Sequence, residues 1–151
     1  MKDSSVIRAG MFLLAFLALQ TRVGANMDID LDLIAQIESG NNPASVGDGG
    51  LALGAYQIHA PVVQEFNQFN KLNIRHVDVA DPAIGRSVAE WYLTKRIPQM
   101  LIHFNQPITV ENILTAYNAG IASVVKGVRP KTTQNYIMKY QSLLQSKGAK
   151  K

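Results

Sequence analysis

Apolar stripes at helical spacing recur along this chain, and each is bounded by residues that start or stop a helix. Leu33, Ile34 and Ile37 share one face, with Asp28 or Asp30 placed to cap the start and Gly40 to take the left-handed turn at the end. "APVVQEFNQFNKL" puts Pro61 in a first helical turn, where its missing N–H costs nothing. "DPAIGRSVAEWYLTKRI" opens with Asp81 as cap and Pro82 at the first position, then carries Ile84, Val88 and Trp91 at i, i+4, i+7. Pro98 is predicted to end or kink that helix. Thr109 is placed to cap "VENILTAYNAG", which stops at Gly120. Thr132 or Thr133 is placed to cap a last helix with Tyr136, Ile137, Tyr140, Leu143 and Leu144 on one face. Residues 41–55, with their Gly, Pro and Asn, read as loop, with a short hairpin around Leu51–Tyr56. The prediction is a mainly α single domain of about five helices, with one short Gly-rich loop or hairpin after the first.

Composition fits that size of fold. The chain has 151 residues, 47% of them hydrophobic, and no repeat or low-complexity linker divides it. There is no cysteine, so disulfides, a lipoprotein anchor, a thiol nucleophile and thiolate metal sites are all excluded. Residues 1–25 read as a signal peptide, with Lys2 and Arg8 ahead of the apolar run "MFLLAFLAL" and small residues Gly24 and Ala25 before Asn26. That run is too short to span about 30 Å of hydrocarbon, so cleavage is expected rather than a stable membrane anchor. The domain is then residues 26–151, exported to the periplasm or cell wall. The net charge is +4; losing Lys2, Arg8 and Arg22 with Asp3 leaves +2. No acid follows Glu111, whereas seven Lys and Arg do, which suits an anionic polymer such as a cell wall or simply a solvated face. Nucleic acid is a poor fit, since aromatics are few and the basic excess lies in one tail.

Glu38 raises the chemical question. It sits beside the apolar stripe of the first helix, in the last turn, where the helix dipole disfavours a carboxylate. Partial burial acts in the same direction, and both push its pKa upward. An acid that keeps its proton near neutral pH is what a general acid in glycoside cleavage needs. By itself the residue reads first as a surface glutamate at a helix end.

Five segments, in order, resemble the lytic transglycosylases of the Slt type, within the lysozyme-like superfamily. "IAQIESGNNPASVG" is similar to the family's helix-end Glu-Ser and Asn-Pro loop, and "GLALGAYQI" to its Gly-rich segment ending on glutamine. "AEWYLTKRI" resembles its Trp-Tyr-Leu helix, "AYNAG" is its motif as it stands, and "TQNYIMKY" resembles its closing tyrosine helix. The resemblance covers nearly all of residues 26–151 and implies a lysozyme-like fold acting on peptidoglycan. It implies Glu38 as the catalytic acid/base and Gln57 as a cleft-lining glutamine. Tyr92 matches a tyrosine whose hydroxyl lies near the glutamate, Tyr117 and Asn118 match the cleft floor, and Tyr136 matches a second nearby tyrosine. Ser39 and Asp48 complete the expected substrate-contacting set. Taken alone, the three tyrosines read as core packing at helical spacing.

The chain departs from the family at Gly47, where many members have serine, at Tyr56, where methionine is usual, and by one extra loop residue before the glutamine. Asp48 in "VGDGG" also resembles a Gly-Asp of goose-type lysozymes, but the further acid those enzymes carry after the glutamine is His59 here. Glycosidases generally use two carboxylates, and the missing acid favours the transglycosylase route. In that route Glu38 protonates the linkage between N-acetylmuramic acid (MurNAc) and N-acetylglucosamine (GlcNAc), and the muramic C6 hydroxyl closes on C1 to a 1,6-anhydro end. A hydrolytic muramidase using Asp48 to position water, and a silent peptidoglycan-binding module, are the alternatives. No cofactor is expected, and His59, His76 and His103 lack metal-ligand spacing. Small single-domain enzymes of this kind resemble accessory factors of secretion or conjugation machines, or phage entry proteins.

Overall fold

The computed structural model describes residues 28–149. The signal peptide expected over residues 1–25 lies outside the described residues. The first helix, α1 (Leu31–Ser39), is capped by Asp30, not Asp28: the Asp30 carboxylate accepts from the N–H groups of Asp32 and Leu33. Such a cap stabilises a helix by about 1 kcal/mol. Gly40 ends it in the left-handed conformation, φ 68°, as expected of a C′ glycine.

The hairpin expected around Leu51–Tyr56 belongs to a three-stranded antiparallel meander. Strands β1 (Val46–Gly47), β2 (Ala52–Leu53) and β3 (Ile58–His59) pair in that order, with Gly47 opposite Ala52 and Ala52 opposite His59. Helix α2 (Ala60–Asn70) follows with Pro61 in its first turn. A short 3-10 segment (His76–Ala80) then leads into α3 (Pro82–Trp91), which Asp81 caps through Ala83 and Ile84 N–H. The Val79 carbonyl is approached from two sides: a Cβ on Gly54 would stand 2.6 Å from it, and one on Gly85 2.5 Å. Only glycine lets the meander and α3 close on that peptide.

Pro98 does not end the helix. The chain leaves the α form earlier, through a π-helical turn at Tyr92–Arg96, and resumes as α4 (Ile97–His103) with Pro98 in its first turn. The ring of an interior proline clashes with the carbonyl four residues back; the wider π turn displaces that carbonyl, so the helix continues. Helices α5 (Val110–Ala119), capped by Thr109, and α6 (Ile121–Val125) come next, with Gly120 between them. The last helix, α7, spans Lys131–Gly148 and begins after Pro130 with no side-chain cap, so neither Thr132 nor Thr133 caps it. Thr133 is buried instead, and its hydroxyl donates to the Asn118 side chain at 2.7 Å.

The core gathers Ile34, Val88, Leu93, Ile97, Leu101 and Leu114, all fully buried. Helix α7 closes it, burying Tyr136, Ile137 and Tyr140 while Leu143 packs at the edge; Leu144, expected on the same face, is exposed near the helix end. The Tyr140 hydroxyl accepts from the Asp30 N–H, and the Lys147 ammonium pairs with the Asp30 carboxylate, so α7 is tied to the start of α1. That clasp holds the two helices bearing Glu38 and Tyr136 in register.

Candidate active site

A cavity of about 620 Å³ opens between α1, the meander, α3 and α5. Glu38, Asp48, Gln57, Tyr92, Tyr117 and Asn118 all line it. Six of the eight side chains expected to form the site are therefore brought to one wall-and-floor arrangement. Ser39 and Tyr136 stand behind that surface.

Glu38 projects from the last turn of α1, where no basic residue offsets the dipole. Its pKa is raised from 4.5 to about 7, first by burial and then by the nearby Asp48 charge. The Tyr136 hydroxyl and the Lys139 ammonium act in the opposite direction. Tyr136 is buried and its hydroxyl faces Glu38 without a fully formed hydrogen bond to any protein group. Burial, and then the Glu38 charge, push the Tyr136 phenol far up, so it stays a donor. The Glu38 charge acts on the Tyr117 hydroxyl as well. Tyr92, at the start of the π turn, contributes a ring 6.0 Å from Tyr117; burial and then the Glu65 charge raise its pKa, while Arg96 acts against them.

The segment that presents Gln57 is pinned by side chains. Ser39 Oγ donates to the Ala55 carbonyl at 2.8 Å, so Ser39 acts as a latch between α1 and the meander. Tyr117 Oη donates to the Tyr56 carbonyl at 2.7 Å. Gln57 itself sits in the left-handed region, φ 49°, and its Nε2 donates to Gly54 O at 2.9 Å and Ser45 O at 3.4 Å. Its Oε1 lies over Gly47, where a Cβ would come within 2.1 Å. The glycine that departs from the family's serine makes room for this amide.

Two contacts were not legible beforehand. His59 pairs with Asp48 across the meander, and Thr133 anchors the Asn118 amide. The first had a signal, since both residues flank the expected hairpin; the second had none. Among the described residues, no group of three or more His, Asp or Glu is arranged to hold a metal ion. The arrangement offers one carboxyl whose pKa is raised, a second carboxyl at Asp48 and a bank of hydroxyl and amide groups, which suits proton transfer to a bound glycan.

A family model for the transglycosylase SLT domain matches residues 26–138. Comparison with curated proteins and with solved structures finds no match. The family match takes in every cavity residue described above. The chain belongs to the transglycosylase SLT domain family and is a lytic transglycosylase, a glycan-cleaving enzyme acting on peptidoglycan.

Proposed function

We propose that Glu38 performs both proton transfers of a lytic cleavage of the β-1,4 bond between MurNAc and GlcNAc. Its carboxyl gives its proton to the glycosidic oxygen as the bond from C1 to that oxygen breaks. The carboxylate so formed takes the proton from the muramic C6 hydroxyl, whose oxygen bonds to C1. The acid is regenerated, no water is consumed, and the product ends in 1,6-anhydro-MurNAc. One carboxyl serves both steps because the nucleophile is part of the substrate and already close. The observation that carries this reading is the place of Glu38 on the cavity wall, in a largely buried setting that raises its pKa to about 7 and lets it keep a proton to give near neutral pH. Gln57, Tyr92, Tyr117 and Asn118 bind the glycan along the cavity, Tyr136 supports the acid from behind, and Ser39 holds the meander against α1.

Mass spectrometry of muropeptides released from purified sacculi tests it. Anhydro ends from the wild type, and no release by Glu38→Gln, are expected. Reducing muramic ends alone would favour the muramidase reading, which the position of Asp48 on the same cavity supports. Equal inactivity of wild type and variant would leave a binding module.

The reading includes export through cleavage of residues 1–25, checked by N-terminal sequencing of the periplasmic protein, which should begin at Asn26. It also includes local opening of the wall for a secretion or conjugation machine or a phage. Unchanged secretion, transfer or infection in a deletion strain would remove that role.

A further inference from the structure

A second groove, of about 310 Å³, lies next to the cavity and plays no part in the reaction proposed above. Glu65, Gln68 and Phe69 of α2 line it, with Trp91 at the end of α3, Arg96 and Gln99. Two elements carry the cavity wall into it. On α2, Val62 lines the cavity and Glu65 the groove; residues three apart are neighbours on one helix face. Tyr92 and Arg96 begin and end the π turn, the first on the cavity and the second in the groove. Such turns are frequent at functional sites. The two charges reach the cavity electrostatically as well: Glu65 raises the pKa of the Tyr92 hydroxyl and Arg96 lowers it.

The groove is part aromatic and part charged. Phe69 is 55% exposed, and its ring stands 5.6 Å from that of the buried Trp91. Arg96 Nε donates to Glu65 Oε2, and among the described residues this is the only side-chain hydrogen bond that either makes. The two side chains are 34% and 42% exposed, so a ligand can reach them. What remains open is the pair of terminal nitrogens of Arg96 and the second oxygen of Glu65. A guanidinium already held at Nε presents a fixed two-pronged donor that matches a carboxylate, and the glutamate beside it can accept from an ammonium. Together they complement a carbon bearing both groups. The glycan cannot supply that, since the N-acetylated sugars carry no charge once the muramic carboxyl is joined to its peptide. The charges of peptidoglycan lie on the stem peptides. Where the diamino acid of the stem is diaminopimelate, its far end is such a carbon, reached through three methylenes that suit the exposed Phe69 ring.

We propose that this groove is a stem-peptide subsite: the diamino acid of an uncrosslinked stem lays its methylenes on Phe69, its carboxylate on Arg96 and its ammonium on Glu65. The inference rests on the cavity holding the glycan, as proposed above, and deepens that reading, because the enzyme then reads the peptide as well as the sugar. Crosslinking acylates the same ammonium, so the subsite selects stems that are not yet joined to a neighbour.

Trp91 is the only tryptophan in the chain, so its fluorescence reports on the groove. The probe is the soluble tripeptide alanyl-γ-glutamyl-diaminopimelate, titrated into the protein. A saturable change is expected, with binding roughly tenfold or more weaker in Arg96→Gln, as for a lost charge-assisted hydrogen bond. The corresponding lysine tripeptide lacks the carboxylate beside its ammonium. It should bind the wild type about as weakly as the first peptide binds Arg96→Gln, and should lose little more in that variant. Arg96→Lys, which keeps the charge but not the fork, should fall between. Cleavage of glycan strands stripped of their stems by an amidase should be the same in wild type and Arg96→Gln, which shows the variant to be folded. No saturable change with the diaminopimelate tripeptide, or equal affinity for both tripeptides in wild type and Arg96→Gln, would overturn the subsite. Displacement of the tripeptide by an uncharged N-acetylglucosamine tetramer would overturn it too, making the groove an extension of the glycan cleft. These titrations do not read catalysis, so the lytic reaction stands or falls separately, on the anhydro ends.

Discussion

Replacing Glu38 with glutamine should stabilise the protein, and only at high pH. The carboxyl titrates near 4.5 when unburdened and at about 7 in the fold, with burial the largest cause. Below pH 4.5 it is protonated in both folded and unfolded chains, so it contributes no difference. Between pH 4.5 and 7 the unfolded chain releases the proton and the folded one keeps it, so stability falls as pH rises. Above pH 7 the folded protein carries the charge in a poorly hydrated site, and the loss is complete. Each pH unit in that window is worth about 1.4 kcal/mol, so at pH 8 the native carboxylate costs about 2–3 kcal/mol after allowance for partial solvent contact. Glutamine keeps the shape and an acceptor for Tyr136 but has no charge to desolvate. Urea unfolding of wild type and Glu38→Gln at pH 4 and pH 8 measures the difference directly. The variant should match the wild type within about 0.5 kcal/mol at pH 4 and exceed it by about 2–3 kcal/mol at pH 8, on the order of 10 °C in Tm. A gap that is the same at both pH values would refute the reasoning, because a pH-independent effect cannot come from titrating this group.

Other perturbations separate the scaffold from the site. Gly47→Ala places a Cβ where Gln57 Oε1 now lies, and Gln57 must swing off Gly54 O and Ser45 O; sacculus clearing should fall roughly tenfold or more while the unfolding midpoint moves by less than about 1 kcal/mol. Gly85→Ala gains about 1 kcal/mol of helix propensity but drives a Cβ to 2.5 Å from the Val79 carbonyl, a backbone atom that cannot step aside; urea unfolding should show a net loss on the order of 1 kcal/mol or more. Tyr117→Phe removes the donor to the Tyr56 carbonyl; a loss of about 1–2 kcal/mol in thermal unfolding, with reduced clearing as the Gln57 segment loosens, is expected.

Much of the scaffold is legible from residues whose local chemistry agrees with their tertiary role. Asp30, Asp81 with Pro82, and Thr109 begin helices, and Gly40 and Gly120 end them, because cap geometry is decided within a few residues. The errors fall where a distant contact overrides local preference. Thr133 has a capping side chain, yet its hydroxyl is engaged by Asn118 inside the fold. Of the end or kink expected at Pro98, the end does not occur: the helix resumes after the π turn at Tyr92–Arg96, and a shift from i+4 to i+5 bonding leaves no trace in the apolar period. Leu144 matches the stripe of α7, but the helix outruns the core at that point.

The site divides in the same way. The upward pressure on Glu38 follows from its place beside an apolar stripe at a helix end, and the structure adds that burial is the larger cause. Which tyrosine faces that acid is not a sequence property: Tyr136 arrives from α7, and only the clasp of Tyr140 and Lys147 on Asp30 brings that helix alongside α1. Ser39 is adjacent to Glu38 in the chain, but successive helical residues point about 100° apart, and its hydroxyl turns to Ala55. Asp48 and His59 flank the hairpin that the sequence signals, but which side chains meet there depends on the pairing of three two-residue strands.

Titration of the Glu38 side-chain carboxyl carbon by NMR in carbon-13 glutamate-labelled protein, assigned by comparison with Glu38→Gln, measures the proton affinity on which the proposed chemistry depends. The account predicts an inflection near pH 7. An inflection near 4.5, the value of a carboxyl in open water, would contradict it.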